Sequence, residues 1–126
     1  MSRKDVLLPY TDPLMSNASM ASNITGTPIN IQFMDDIGIA FTWTGSNPQG
    51  SVSLQVSLDY NPNTQTGNWF TVQTSPGTNY SVSCGGAPGG TFADFALTGA
   101  RWLRTTYTTT GGSSGNLTAV IGAKMV

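Results

Sequence analysis

The stretches Ile37-Gly-Ile-Ala-Phe-Thr-Trp43 and Val52-Ser-Leu-Gln-Val-Ser-Leu58 decide the fold of this sequence. In both, large apolar residues alternate with small or polar ones. Side chains of a β-strand point alternately to its two faces, so each stretch is predicted to be a strand with one buried and one solvated face. The segment between them, Gly45-Ser-Asn-Pro-Gln-Gly50, has turn residues, and we therefore predict a hairpin.

Similar short segments recur outward from this hairpin. No stretch has ten residues of helical period. In the predicted strand 101–110, the apolar Leu103 alternates with Trp102 and Arg104. The fold class that follows is all-β, an antiparallel β-sandwich of about seven or eight strands. The glycine-rich loop 111–115 is predicted to close a second hairpin. Further strands are predicted at 69–73, 80–83, 91–97, 101–110 and 116–123.

Residues 1–28 have a different character, because Pro9, Pro13 and Pro28 interrupt them and no regular period holds. We predict an extended N-terminal arm ahead of a sandwich domain at 29–126. Such an arm buries too little apolar surface by itself to offset the entropy lost on ordering. We expect it to become ordered only against a partner, and the alternative is an unstructured terminus. The apolar residues predicted to make this contact are Leu7, Leu8, Tyr10, Leu14, Met15 and Met20.

The composition favours assembly. Ser, Thr, Asn and Gln supply 45 of the 126 residues, whereas charged residues supply 9%, against about 25% in an average protein. A polar surface with so little charge lacks long-range repulsion and favours burial against copies of the chain or a partner. We predict a homo-oligomer, either a dimer or a trimer; the alternative is a surface that is polar only because β-strands are rich in Thr.

Charge and hydropathy also argue against two classes of partner. The net charge is −1 and the five basic residues are scattered, so there is no electrostatic footprint for nucleic acid. No apolar run approaches the roughly 20 residues that span a bilayer, and Pro9 stops the first apolar run short of a signal sequence. We predict no nucleic-acid partner, no membrane partner and synthesis in the cytoplasm.

Residue types that support catalysis are scarce. The chain has no His, which removes the commonest general base and metal ligand, and its single cysteine, Cys84, has no disulfide partner. The carboxylates of Asp35 and Asp36 diverge because the residues are adjacent. The loop 59–63 resembles oxygen-rich calcium loops but supplies one carboxylate. We predict no enzyme activity, no catalytic residues, no metal ligands and no cofactor, and leave calcium binding at that loop open.

The tryptophans divide into two predicted roles. Trp43 and Trp69 lie on the apolar faces of their predicted strands and are predicted to be core residues rather than a sugar-binding platform. Trp102 and Arg104 lie on the face opposite Leu103. Because Trp and Arg are enriched at interface hot spots, both are predicted to bind a partner. Exposed, coplanar rings on one face would instead favour a carbohydrate site.

Short motifs follow one another in a fixed order between residues 29 and 124. They are a "W-T-G" turn at 43–45, a strand ending in "S-x-D" at 57–59, the isolated Trp69 and the strand "R-W-L-R-T-T-Y-T" at 101–108. This order resembles small β-sandwich virion proteins of tailed bacteriophages. The resemblance implies a jelly-roll-like sandwich and a structural role in a capsid, a tail or a fibre.

Within that group, the small size, the single domain and the arm favour a capsid cement or decoration protein. The resemblance then implies a location on the capsid surface and the major capsid protein as partner. The cement protein would clamp neighbouring capsid subunits. The alternative is a tail or fibre module that binds a host carbohydrate or receptor.

Overall fold

The computed structural model describes residues 4–6, 15–32, 34, 36–45, 49–84, 88–95, 99–111 and 115–125. Every regular element in these ranges is a β-strand, as predicted, and none of them holds a helix able to cross a membrane. The described part of the chain contains thirteen strands: β1 (Lys4–Val6), β2 (Met15–Ser19), β3 (Ile24–Thr25), β4 (Ile29–Asn30), β5 (Asp36–Trp43), β6 (Gly50–Ser57), β7 (Phe70–Thr71), β8 (Gln73–Ser75), β9 (Thr78–Asn79), β10 (Val82–Ser83), β11 (Gly89–Phe95), β12 (Trp102–Thr109) and β13 (Asn116–Met125).

Eleven of these thirteen strands form two antiparallel sheets. The first sheet has the order β1-β13-β5-β11, and β2 also pairs with β13. The second has the order β10-β6-β12-β3, with β4 also paired to β12 and β7 also paired to β6. Strands β8 and β9 form a separate hairpin. The architecture is the antiparallel β-sandwich that the alternation predicts.

One apolar core lies between the two sheets. The predicted face of β5 is confirmed, because alternate residues from Ile37 to Trp43 are buried and Thr42 between them is exposed. The predicted faces of β12 and β13 are confirmed as well. The core side chains from β6, β12 and β13 are Val52, Leu54, Leu103, Tyr107, Leu117, Ala119 and Ile121.

The two loops predicted to close hairpins instead carry the chain from one sheet to the other. β5 lies in the first sheet and β6 in the second, while β12 lies in the second and β13 in the first. The crossings are adjacent, since the Thr44 amide donates to the Asn116 carbonyl and the Thr110 amide to the Gln49 carbonyl. The hairpin predictions were wrong because alternation specifies which face of a strand is buried and not which strand lies beside it.

The strand count exceeds the predicted seven or eight because the sheet edges are broken into short pieces. The predicted strand 69–73 is divided into β7 and β8, with Val72 between them. Leu58, predicted to continue the buried face of β6, is 61% exposed. Ser57 is buried instead, and the chain bends at residues 58 and 59, where the Asp59 amide donates to the Ser57 hydroxyl at 3.3 Å.

The N-terminal boundary predicted at residue 28 does not match the structure. β2 pairs with β13, and β3 and β4 pair with β12, so residues 15–30 belong to the sandwich. Met15 and Met20 are buried in its core rather than presented to a partner. The sequence does not predict these strands, because the segment changes from one sheet to the other within ten residues and therefore shows no continuous period.

Candidate interaction face

The outer face of the second sheet carries the two residues that the sequence singled out on β12. Alternation buries Leu103 and Thr105, so Trp102 and Arg104 point away from the core. Arg104 lies directly opposite Gln55 of β6. Its Nε donates a 2.7 Å hydrogen bond to the Gln55 Oε1, which fixes the guanidinium on the sheet surface.

Two aromatic rings from the loop after β6 cover this part of the sheet. The guanidinium carbon of Arg104 lies 4.2 Å from the ring centroid of Trp69, within cation–π distance. Tyr60 packs against Trp69, with centroids 5.3 Å apart, and against Trp102, with centroids 5.1 Å apart. We call Tyr60, Trp69, Trp102 and Arg104 the aromatic–arginine cluster. All four side chains are partly exposed.

The loop that presents Tyr60 and Trp69 is closed by one carboxylate. Asp59 Oδ1 accepts the Asn68 amide at 2.8 Å, and Oδ2 accepts the Asn68 side-chain amide at 2.8 Å. These bonds from Asn68, with a weaker one from Ser57, hold the pKa of Asp59 below its usual range. The carboxylate considered as a calcium ligand is therefore engaged in joining the two ends of the loop.

Close backbone contact also shapes this loop. A Cβ atom on Gly67 would lie 2.7 Å from the Tyr60 Cα, so only glycine lets the two strands of the loop approach. The Asn61 and Thr66 backbones pair across the loop. The ring of Tyr60 is thus set between Trp69 and Trp102 by contacts at both loop ends.

The environment of Arg104 is partly desolvated. Burial lowers the pKa of its guanidinium, and the nearby Tyr60 acts in the opposite direction. An arginine stays charged at physiological pH despite such a shift. The cluster therefore presents a fixed positive charge framed by aromatic rings.

The sequence placed part of this cluster correctly. Trp102 and Arg104 lie on the outer face, as their alternation with Leu103 predicted. Trp69 was wrongly predicted to be a core residue, whereas Trp43 is buried as predicted. Alternation around the buried Val72 was no guide to Trp69, because Phe70, two residues before Val72, is 64% exposed and the strand is interrupted at Val72.

Two other predicted partner-binding residues, Met15 and Met20, do not join the cluster. Both are core residues. The remaining ones lie outside the described part of the chain: Leu7, Leu8, Tyr10 and Leu14.

Large apolar side chains are exposed elsewhere on the sandwich. Leu58 and Phe70 lie at the β7 edge of the second sheet, and Phe92 and Val120 lie on the outer face of the first sheet. An open groove runs beside Phe70, and its lining includes Trp69, Phe70, Gln73 and Asn79.

Two titratable side chains away from the cluster, Cys84 and Tyr80, lie in the core or pack against it. Burial raises the pKa of the Cys84 thiol to about 11, so it is protonated at neutral pH and a poor nucleophile. Burial, and then Cys84, raise the pKa of the Tyr80 hydroxyl. Among the described residues no three His, Cys, Asp or Glu side chains come together. Asp36 begins β5, and Asp35 lies outside the described residues.

Comparisons with known proteins show likeness at the level of the fold. The chain matches no protein-family model and no curated protein. Its structure is similar to that of the SPBc2 prophage-derived protein YomS, with a TM-score of 0.55, 10% identity and coverage of 98% of this chain and 93% of the other.

Two carbohydrate-binding structures overlap less closely. A family 16 carbohydrate-binding module gives a TM-score of 0.46 at 8% identity, covering 86% of this chain and 73% of the module. The N-terminal cellulose-binding domain of Cellulomonas fimi β-1,4-glucanase C gives 0.44 at 14% identity, covering 98% and 78%.

Proposed function

We propose that this chain is a structural virion protein of a tailed bacteriophage, and that it acts as a capsid cement or decoration protein bound to neighbouring major capsid subunits. The observation that carries the proposal is the aromatic–arginine cluster, a partly exposed patch of hot-spot residues on a surface with little charge. The overlap with a prophage-derived protein along nearly the whole of both chains supports the phage context.

The cluster suits protein recognition because it is organised before binding. Gln55 and Trp69 hold Arg104 in place, so little side-chain entropy remains to be lost when a partner binds. Trp, Tyr and Arg are the residue types that dominate binding energy at protein interfaces. A protein that binds only the assembled shell stabilises that shell by mass action.

A carbohydrate-binding role is the second candidate, and a different feature favours it. The rings of the cluster are tilted by 52° and 70° to one another, so they do not form a flat platform for a sugar. The groove beside β7, however, places the 64% exposed ring of Phe70 near the amide side chains of Gln73 and Asn79. An aromatic ring beside a few polar groups is typical of small-molecule sites, and amides can both donate to and accept from sugar hydroxyls.

Cosedimentation with purified phage parts tests the proposal. The full chain is mixed with DNA-filled heads and, separately, with isolated tails of a phage that encodes it. We expect binding to heads that saturates in proportion to the major capsid subunit. Trp102→Ala and Arg104→Ala should each weaken that binding by about tenfold or more.

The control is Thr42→Ala, an exposed change on the outer face of the first sheet that should leave binding to heads unchanged. Near-UV circular dichroism confirms that each variant is folded. Binding to tails alone, or to a polysaccharide in a manner abolished by Phe70→Ala, would overturn the cement role in favour of the second candidate.

A further inference from the structure

In the part of the chain that the structure describes, the two sheets end in four edges, and three of these edges are interrupted. One edge consists of β3 and β4, two residues each, with Pro28 between them. A second consists of the two-residue strands β7 and β10. Short edge strands and prolines prevent another strand from pairing with a sheet.

The third edge is interrupted in a different way. It consists of β1 and β2 on β13, and its register shifts between Leu117 and Ala119. Asn17 of β2 has a φ of 48°, in the left-handed region. A bulge of this kind twists an edge and blocks further pairing.

The fourth edge, β11, has none of these features. It is seven residues long, pairs with β5 in unbroken register and contains no proline and no lysine. No described strand pairs with its other side. An edge that is long, regular and nearly uncharged presents free backbone groups to an incoming strand.

An exposed aromatic ring stands at the middle of this edge. Phe92 is 68% exposed on the outer face of the first sheet. Its ring lies over Gly38 of β5, because a Cβ atom there would be 2.7 Å from the Phe92 Cζ. Its cross-strand neighbour is Ala40, which in turn pairs with Val120. This row of apolar side chains begins at the open edge.

We propose that β11 pairs antiparallel with β11 of a second copy, about a two-fold axis at Phe92, so that the first sheet continues across a homodimer. The proposal goes beyond the proposed function and does not depend on it. The side chains of the strand favour a second copy over a foreign strand, because they complement one another in this register.

In this register Phe92 lies opposite Phe92 of the second copy, and Asp94 lies opposite Gly90. The only charged residue of the strand therefore does not meet its own copy, so no like charges face each other. On the inner face Phe95 lies opposite Gly89, where an aromatic ring covers a glycine backbone. Each residue pairs with one of the same face, and the two sandwiches form one continuous sheet. Isologous two-fold dimers are the commonest closed assemblies.

Sedimentation of the purified full chain over a range of concentrations tests the pairing. We expect a species of twice the 13.2 kDa monomer mass. Phe92→Lys and Phe92→Glu each place like charges opposite one another, and each should raise the dimer dissociation constant by about tenfold or more. An equimolar mixture of the two variants should restore the dimer, because opposite charges then meet.

The matched control is Val120→Lys, an exposed change on the same face but two strands from the edge, which should leave the dimer intact. Hydrogen exchange on the unaltered chain gives a second measurement: amides of 89–95 should gain protection as concentration rises. A monomer at every concentration, or a dimer that Phe92→Lys leaves unchanged, would overturn the proposal. Head binding is measured separately, so a failed dimer leaves the cement role standing.

Discussion

Two adjacent threonines on β12 have opposite environments. Thr105 is fully buried in the core, and its hydroxyl has no hydrogen-bond partner. Thr106 points to the outer face, where its hydroxyl lies 2.7 Å from that of Ser53 on the neighbouring strand. An unpaired buried hydroxyl destabilises the folded state, whereas a paired one contributes to stability.

We therefore expect Thr105→Val to raise the free energy of unfolding by about 1 kcal/mol, because it replaces the unpaired hydroxyl with a methyl group of similar shape. Thr106→Val should lower it by about 0.5 to 1.5 kcal/mol, since the Ser53 hydroxyl loses its partner. Urea unfolding of the two variants measures both changes. Destabilisation of equal size in both would show that Thr105 has a partner in solution.

At the scale of elements, the loop 59–69 links a buried strand to the exposed cluster. The loop begins as β6 ends, and the carboxylate of Asp59 joins it to Asn68, the residue before Trp69. Because the folded-state pKa of Asp59 lies below its unfolded value, these bonds contribute their full stabilisation of the loop at pH values above the unfolded pKa. The contribution is lost as the pH falls through the folded pKa.

The Asp59 pKa should therefore respond to its partner. Asn68→Ala removes the side-chain donor and keeps the backbone one, so the pKa should rise part of the way to its usual value. Asn63→Ala, an exposed change in the same loop, should leave the pKa of Asp59 unchanged. An NMR titration of the carboxyl carbon measures the pKa in each variant. In the unaltered chain, the indole signal of Trp69 should shift at the same pH. A signal that does not shift would show that protonation of Asp59 has no effect on the cluster.

The elements also show what alternation can and cannot predict. The buried faces of β5, β12 and β13 follow from the period of two, because that period is local. The sheet to which each strand belongs does not, since β5 and β6 would alternate identically as a hairpin or across the core. Trp69 was misplaced for a related reason: the strand predicted around it is interrupted at Val72, and its loop is held by Asp59, ten residues earlier.

At the scale of the whole molecule, the N-terminal strands close one side of the sandwich. β2 extends the first sheet beside β13, and β3 and β4 extend the second beside β12. Met20 lies where the chain passes between the sheets. Its amide donates to the Gly115 carbonyl at 3.0 Å. Its carbonyl lies 3.4 Å from the Tyr107 hydroxyl, which donates to the Gln49 carbonyl at 2.9 Å. Residues 15–30, which show no regular period in the sequence, are thus fixed by contacts with β12 and β13.

The domain should therefore depend on residues that the sequence assigned to an arm. Met20 is 0% exposed, and Met20→Ala should lower the free energy of unfolding by about 2 to 5 kcal/mol, through lost burial and the cavity left behind. Ser22→Ala, an exposed change two residues away, should alter it by less than about 0.5 kcal/mol. Thermal or urea unfolding measures both.

Deleting residues 1–28 extends the same prediction. The deletion removes β1, β2 and β3 together with the core side chains of Met15 and Met20. It also exposes the edges of β12 and β13, so the shortened chain should melt far below the full one or fail to fold. Thermal unfolding followed by circular dichroism measures the melting temperatures of the shortened and the full chain. A melting temperature equal to that of the full chain would show that the sandwich is complete without its N-terminal strands.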